Sequence, residues 1–196
     1  EDNILSFELG EYNSNIELII DPDLIFSSFT GSNSDNWGMT ATPDSEGNLL
    51  AGGIVFGSGY PYVTGSYDAT YNGGNIDIGI SKFNTTGSNL IYSTYIGGGV
   101  SENPHSIVVN DFDELYIYGT TDSPDFPVTI GAYDNSLQGN DEDLIIVKVS
   151  SNGASLLAAT YIGGTGVDGV SSQTPLKYNY GDQLRGEIIV DETSNV

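Results

Sequence analysis

The chain has 196 residues, no cysteine, and 27 acidic against 4 basic side chains, a formal charge of −23. That balance repels phosphate backbones and anionic lipid, so nucleic-acid and membrane-surface partners are disfavoured, and without thiols there is neither a disulfide framework nor a thiolate site. With 26 Gly, 13 Tyr and 7 Phe, and no apolar run of membrane-spanning length, the composition predicts an all-β, turn-rich protein that does not insert into a membrane.

Residues 1–20 alternate apolar and polar on either side of Tyr12-Asn13-Ser14-Asn15, which predicts a β-hairpin. Pro22 lacks the donor a central strand needs, so Asp21-Pro22-Asp23 marks the end of that unit. Residues 1–23 are read as the terminal hairpin and linker of a preceding domain. Glu1 opens mid-pattern, without Met or a signal peptide, so a piece of a longer product is expected.

From Leu24 onward the chain repeats. Leu24-Ile25-Phe26-Ser27-Ser28-Phe29-Thr30-Gly31 is echoed by residues 90–98 and 156–164, and Phe29, Tyr95 and Tyr161 stand 66 residues apart. The same offset pairs Gly53 with Gly119, Pro61 with Pro127, Asp77 with Asp143, Lys82 with Lys148 and Gly87 with Gly153. Matched Gly and Pro require that the same backbone turns recur.

Within the second unit, strands are expected over residues 106–109, 115–118, 144–149 and 156–162. Tight turns join the first two and the last two, and a long connection spans residues 119–142. Four antiparallel strands at a fixed period is the pattern of a β-propeller blade, here longer than the common repeats of ~40–50 residues. The division is residues 24–31 as an outer strand, 32–97 and 98–163 as blades, and 164–196 as a partial blade. In that last unit Ile188 lies 81 residues beyond Ile107, so 15 residues are inserted between Gly164 and Gly186. Rings take ~4–8 blades, so this is an incomplete ring and further blades are expected beyond Val196.

These residues resemble a bacterial β-propeller repeat family of the seven-bladed type. Its units carry an S-T-Y-[IL]-G-G end, a D-x-F-P segment, a G-A-Y-D turn and a D-x-x-[IV]-x-K strand. Here they are Ser93-Thr94-Tyr95-Ile96-Gly97-Gly98, Asp125-Phe126-Pro127, Gly131-Ala132-Tyr133-Asp134 and Asp143 to Lys148. Residues 1–23 look like the end of the domain that commonly precedes such repeats. The resemblance implies a propeller, secretion or surface display, often by type IX export, and no catalytic set. The expected role is a non-catalytic extracellular or outer-surface scaffold or binding module. Its partners would be other blades or domains of the same polypeptide, another surface protein or a glycan. The alternative is a carbohydrate- or Ca²⁺-binding propeller.

Candidate chemistry is sparse. Gly164-Thr165-Gly166-Val167-Asp168-Gly169 fits G-x-G-x-x-G, but a dinucleotide site needs a helix after it, and none is expected. His105, the one histidine, has no nucleophile motif to serve and corresponds to Met39, which favours packing. Asp111, Asp113 and Glu114, or Asp141, Glu142 and Asp143, are candidate Ca²⁺ ligands, against turn chemistry and strand capping. No cofactor and no metal site is assigned. Lys82 and Lys148 are expected to neutralise nearby carboxylates. Asn84-Thr85-Thr86 fits the glycosylation sequon and is read as a turn.

Blade topology places the second-to-third connections and the insertion at one end of the sheets, and elaboration at one end suits a binding surface. Candidate binding residues are Phe126 in the long connection and Lys177, Tyr178, Tyr180 and Arg185 in the insertion, a cationic and aromatic set of the kind enriched at interfaces.

Overall fold

The computed structural model describes residues 24–139, 141–170, 186–191 and 193–196. The hairpin expected over residues 1–23, and Lys177, Tyr178, Tyr180 and Arg185, lie outside the described residues. Eight strands are formed: β1 (Asn36–Pro43), β2 (Leu49–Val55), β3 (Asp77–Phe83), β4 (Leu90–Ile96), β5 (Glu102–Val109), β6 (Leu115–Thr121), β7 (Asp143–Val149) and β8 (Leu156–Ile162). They make two four-stranded sheets in chain order, β1-β2-β3-β4 and β5-β6-β7-β8. All neighbours are antiparallel. The fold is all-β, with no helix among the described residues.

The 66-residue offset is a backbone offset. In β1 the register slips between Gly38 and Thr40, and in β5 between Pro104 and Ser106, so Met39 and His105 are the same bulge residue. That bulge lets pairing run back to Glu102, four residues before the strand start expected from the sequence. A second bulge leaves Ile91 unpaired in β4 and Leu157 in β8. Gly53 and Gly119 are matched because the carbonyl groups of Trp37 and Asn103 occupy the space a Cβ would take.

The hairpin turn after the first strand recurs three times. Asp44 Oδ1 accepts the amides of Glu46 and Asn48, and Asn110 Oδ1 accepts those of Phe112 and Glu114. Asp191 Oδ1 accepts those of Thr193 and Asn195. The third unit therefore regains its turn after the insertion. Residues 188–190, expected as a strand, are not one, since no strand among the described residues pairs with them.

Residues 24–31 correct the sequence reading in the same way. They form no strand, because their counterparts β4 and β8 are held by pairing with β3 and β7, and no such neighbour is described for the first copy. Phe26 nevertheless lies on Gly87, as Tyr92 lies on Gly153 one unit later. Both glycines have positive φ and leave a flat backbone surface for the ring.

The sheets pack face to face. Ile145, Val147 and Val149 of β7, with Leu115 and Ile117 of β6, meet Leu50, Ile78, Ile80, Tyr92 and Ile96 of the first sheet in one buried cluster. Alternation along β7 sets this up, with odd-numbered residues buried and even-numbered ones half-exposed. Each buried aliphatic side chain contributes ~1.5–3 kcal/mol.

The long connections, residues 56–76 and 122–142, do not form an elaborated end. They fold back along the outer strands. Tyr95 donates its amide to Asp68 O, and Thr94 Oγ1 accepts the Asp68 amide; Tyr161, Thr160 and Asp134 repeat both bonds. The Tyr95 hydroxyl accepts the Tyr60 amide at 2.9 Å, and the Tyr161 hydroxyl accepts the Phe126 amide at 3.1 Å. The repeated Thr-Tyr pair, Thr94-Tyr95 and Thr160-Tyr161, is thus the clasp that holds each connection down. Only the ends of the connections reach the inter-sheet link, where Ile76 and Ser101 bridge.

Candidate functional site

Two faces of equivalent composition have different fates. On the first sheet Leu50, Ile78, Ile80, Tyr92 and Ile96 face the second sheet and are buried. Their counterparts at the 66-residue offset are Tyr116, Leu144, Ile146, Ala158 and Ile162. No sheet among the described residues covers that second face, so Leu144, Ile146 and Ile162 are half-exposed and Ala158 is exposed.

What does reach this face is the chain end. The Tyr118 ring occupies the space a Cβ on Gly186 would need. The Tyr116 hydroxyl donates to Ser194 O at 3.0 Å, and Asn110 Nδ2 donates to Ser194 Oγ at 3.1 Å. The last contact is a step between neighbouring turns. The same step occurs between the sheets, where Ser45 donates its amide and hydroxyl to Asp113, at 2.8 and 2.7 Å. A shallow recess remains beside these residues, lined in part by Tyr116, Ile146, Lys148, Ala158 and Thr160.

The polar edge of this face is an ion pair. Lys148 Nζ lies 2.6 Å from Glu114 Oε2, about a quarter exposed on each side, and 5.2 Å from the Tyr116 ring centre. The hydrogen bond between them raises the lysine above its ordinary pKa and lowers Glu114 below its own.

The residues singled out in the sequence fall elsewhere. Phe126 is 3 % exposed and packs against Tyr161 with ring centres 6.0 Å apart. It is a core residue, so the expectation that it binds a ligand is corrected. The reason is the clasp, which draws the connection inward and makes Phe126 the counterpart of buried Tyr60. Lys177, Tyr178, Tyr180 and Arg185 lie outside the described residues.

His105 is buried at its bulge, edge-on to Tyr118 at 5.5 Å, with Nδ1 unpartnered. Burial lowers its pKa to about 4, so it is neutral near pH 7 and has no acid to orient it. Asp113 is taken up by Ser45 and Glu114 by Lys148. Asp143 caps its connection by accepting the Gln138 amide. Among the described residues no three of His, Asp and Glu converge as they would around a metal ion. Asn84 Oδ1 accepts the amides of Ser88 and Asn89, the turn chemistry expected of it.

Residues 164–169 form a loop without a helix, and the Gly164 amide donates to Asp168 Oδ2 at 2.7 Å. The half-open face itself escaped sequence reasoning. Its signal was the continuous apolar run Leu144-Ile145-Ile146-Val147, which marks a strand apolar on both faces without saying what covers each. No protein-family model matches the chain, and no curated protein is similar enough to match.

Proposed function

We propose that the two sheets are successive blades of a β-propeller, and that the chain is a non-catalytic scaffold or binding module within a larger secreted or cell-surface protein. The observation that carries this is the face of the second sheet that no other sheet among the described residues covers, with Gly186 and Ser194 against it and a turn-to-turn contact, Asn110 to Ser194, like the one that relates the two sheets. An apolar face that one copy of the repeat buries fully is built to receive another copy. Phe26 on Gly87 supports a neighbour on the other side as well, since it stands where an outer strand would contribute Tyr92.

The secreted or outer-surface setting rests on the resemblance of the repeat, and the large negative charge suits it by favouring solubility. The partners of such a module are first the adjoining blades and domains of its own polypeptide, then a surface protein or glycan. Without native cysteines, a single introduced thiol reports cleanly in this chain. In the natural polypeptide, Ile146→Cys should label with maleimide as slowly as Ile80→Cys. Rapid labelling at 146 alone would show that no blade covers this face.

A further inference from the structure

At the end where the link 97–101 joins the sheets, two acids are fully buried. Asp77 opens β3 and Glu102 opens β5, and both are 0 % exposed. Each has one satisfied oxygen: Asp77 Oδ2 accepts the Asn72 amide at 2.7 Å, and Glu102 Oε1 accepts the Thr121 hydroxyl at 2.6 Å. The other two oxygens, Asp77 Oδ1 and Glu102 Oε2, have no partner. They converge on one point, since a Cβ on Gly97 would lie 2.8 Å from the first and 2.7 Å from the second. The Gly98 amide and Ser123 hydroxyl lie near Glu102 and oppose the effect of its burial, but neither meets hydrogen-bond geometry at Oε2.

We propose that Asp77 and Glu102 share one proton across the junction between the sheets, and that loss of this proton loosens the junction. Two ionised carboxylates buried side by side without a cation are strongly unfavourable, whereas one O–H···O bond satisfies both free oxygens at once. A calcium ion would need ~6–8 oxygens where two are free. The other titratable groups that face the pair are Asp68 and Tyr71 from the long connection, Tyr95 from β4, Asp122 from the end of the second hairpin and Tyr161 from β8. All are acids or phenols, so none stabilises a second negative charge. Burial and the neighbouring Glu102 charge raise Asp77 to about 7.

The next unit repeats the geometry without the isolation. Asp143 and Asp168 hold the equivalent positions around Gly163, and Asp143 Oδ1 is again unpartnered. Asp168, however, is half-exposed and accepts the Gly164 amide, so the second pair is not sealed between two sheets as the first is.

The direction of the effect follows from linkage. A carboxyl raised in the folded state adds stability that is complete below its unfolded pKa and is lost progressively as pH climbs from about 4 through about 7. Asp77→Asn copies the protonated acid, because its amide oxygen can accept from Asn72 and its NH₂ can donate to Glu102. In the full chain it should melt above wild type at pH 8, by about 2–4 °C or more, and no higher than wild type at pH 5. Asp141→Asn, an exposed carboxylate, controls for the net charge and should shift both melts alike. A variant Asp77→Asn that melts below wild type at pH 8 overturns the proposal. So does a melt of wild type raised at pH 8 by Ca²⁺ alone, which would put a cation between the acids. Infrared spectra of the folded wild-type chain give a direct check: a protonated-carboxyl band at pH 6 that disappears in Glu102→Gln is expected, and its absence from wild type sinks the idea.

Discussion

Lys82 holds Asp44 at 2.7 Å, with side chains 9 % and 1 % exposed. Asn48 Nδ2 donates to the same carboxylate oxygen. One unit later the acid and the amide have exchanged ends of the turn: Asn110 stands for Asp44, Glu114 for Asn48, and Lys148 pairs with Glu114 instead. Each lysine keeps a single carboxylate, reached from opposite ends of the same loop.

Burial separates the two pairs in energy. Lys82→Met strands a buried carboxylate and should cost ~3–5 kcal/mol, whereas Lys148→Met should cost ~1 kcal/mol or less because its pair is partly solvated. Urea denaturation of both variants measures the difference. Asp44→Asn should be damaging alone and largely rescued by adding Asn48→Glu, which rebuilds the arrangement of the second unit.

Acid unfolding should have two separable contributions. His105 is held down to about 4 by burial, so its contribution is present above the unfolded histidine pKa near 6.5 and is lost as pH falls through about 4. For Asp44, burial pushes up, but hydrogen bonds from Lys82 and Asn48 outweigh it and bring the group to about 2. Its contribution is present above about 4 and is lost as pH falls through about 2. Urea midpoints across pH should lose the first step in His105→Met and the second in Asp44→Asn.

The tyrosine clasp should be worth a buried donor in each unit. Tyr161→Phe leaves the Phe126 amide and Ser123 O without their shared hydroxyl, and Tyr95→Phe does the same to the Tyr60 amide. A loss of ~1–3 kcal/mol is expected for each. Equality with wild type in chemical denaturation would show that the connections are held by packing alone.

Gly97 and Gly38 make a matched comparison. A methyl group on Gly97 would press on Asp77 and Glu102, while one on Gly38 meets nothing within 4 Å. Gly97→Ala should lower the melting temperature clearly and Gly38→Ala should leave it nearly unchanged.

The repeat, the all-β class, the tight turns and the pairing role of the two lysines were legible in the sequence. Each is a local or periodic property: Gly and Pro at fixed offsets demand the same turns, and alternation demands half-buried strands. The bulges at Met39 and His105 were not legible, because a bulge is a property of two strands in register. Nor was the fate of Phe126, which reads as an exposed loop aromatic until the Tyr161 hydroxyl is seen pulling its amide inward. The acid pair shows the division most clearly. Acids recur at residues 77 and 143, and at 102 and 168, so that Asp77 and Glu102, like Asp143 and Asp168, are offset by 25 positions. Only the packing of one sheet on the next brings Asp77 and Glu102 to one point beside Gly97, while leaving Asp168 at the open end in contact with water.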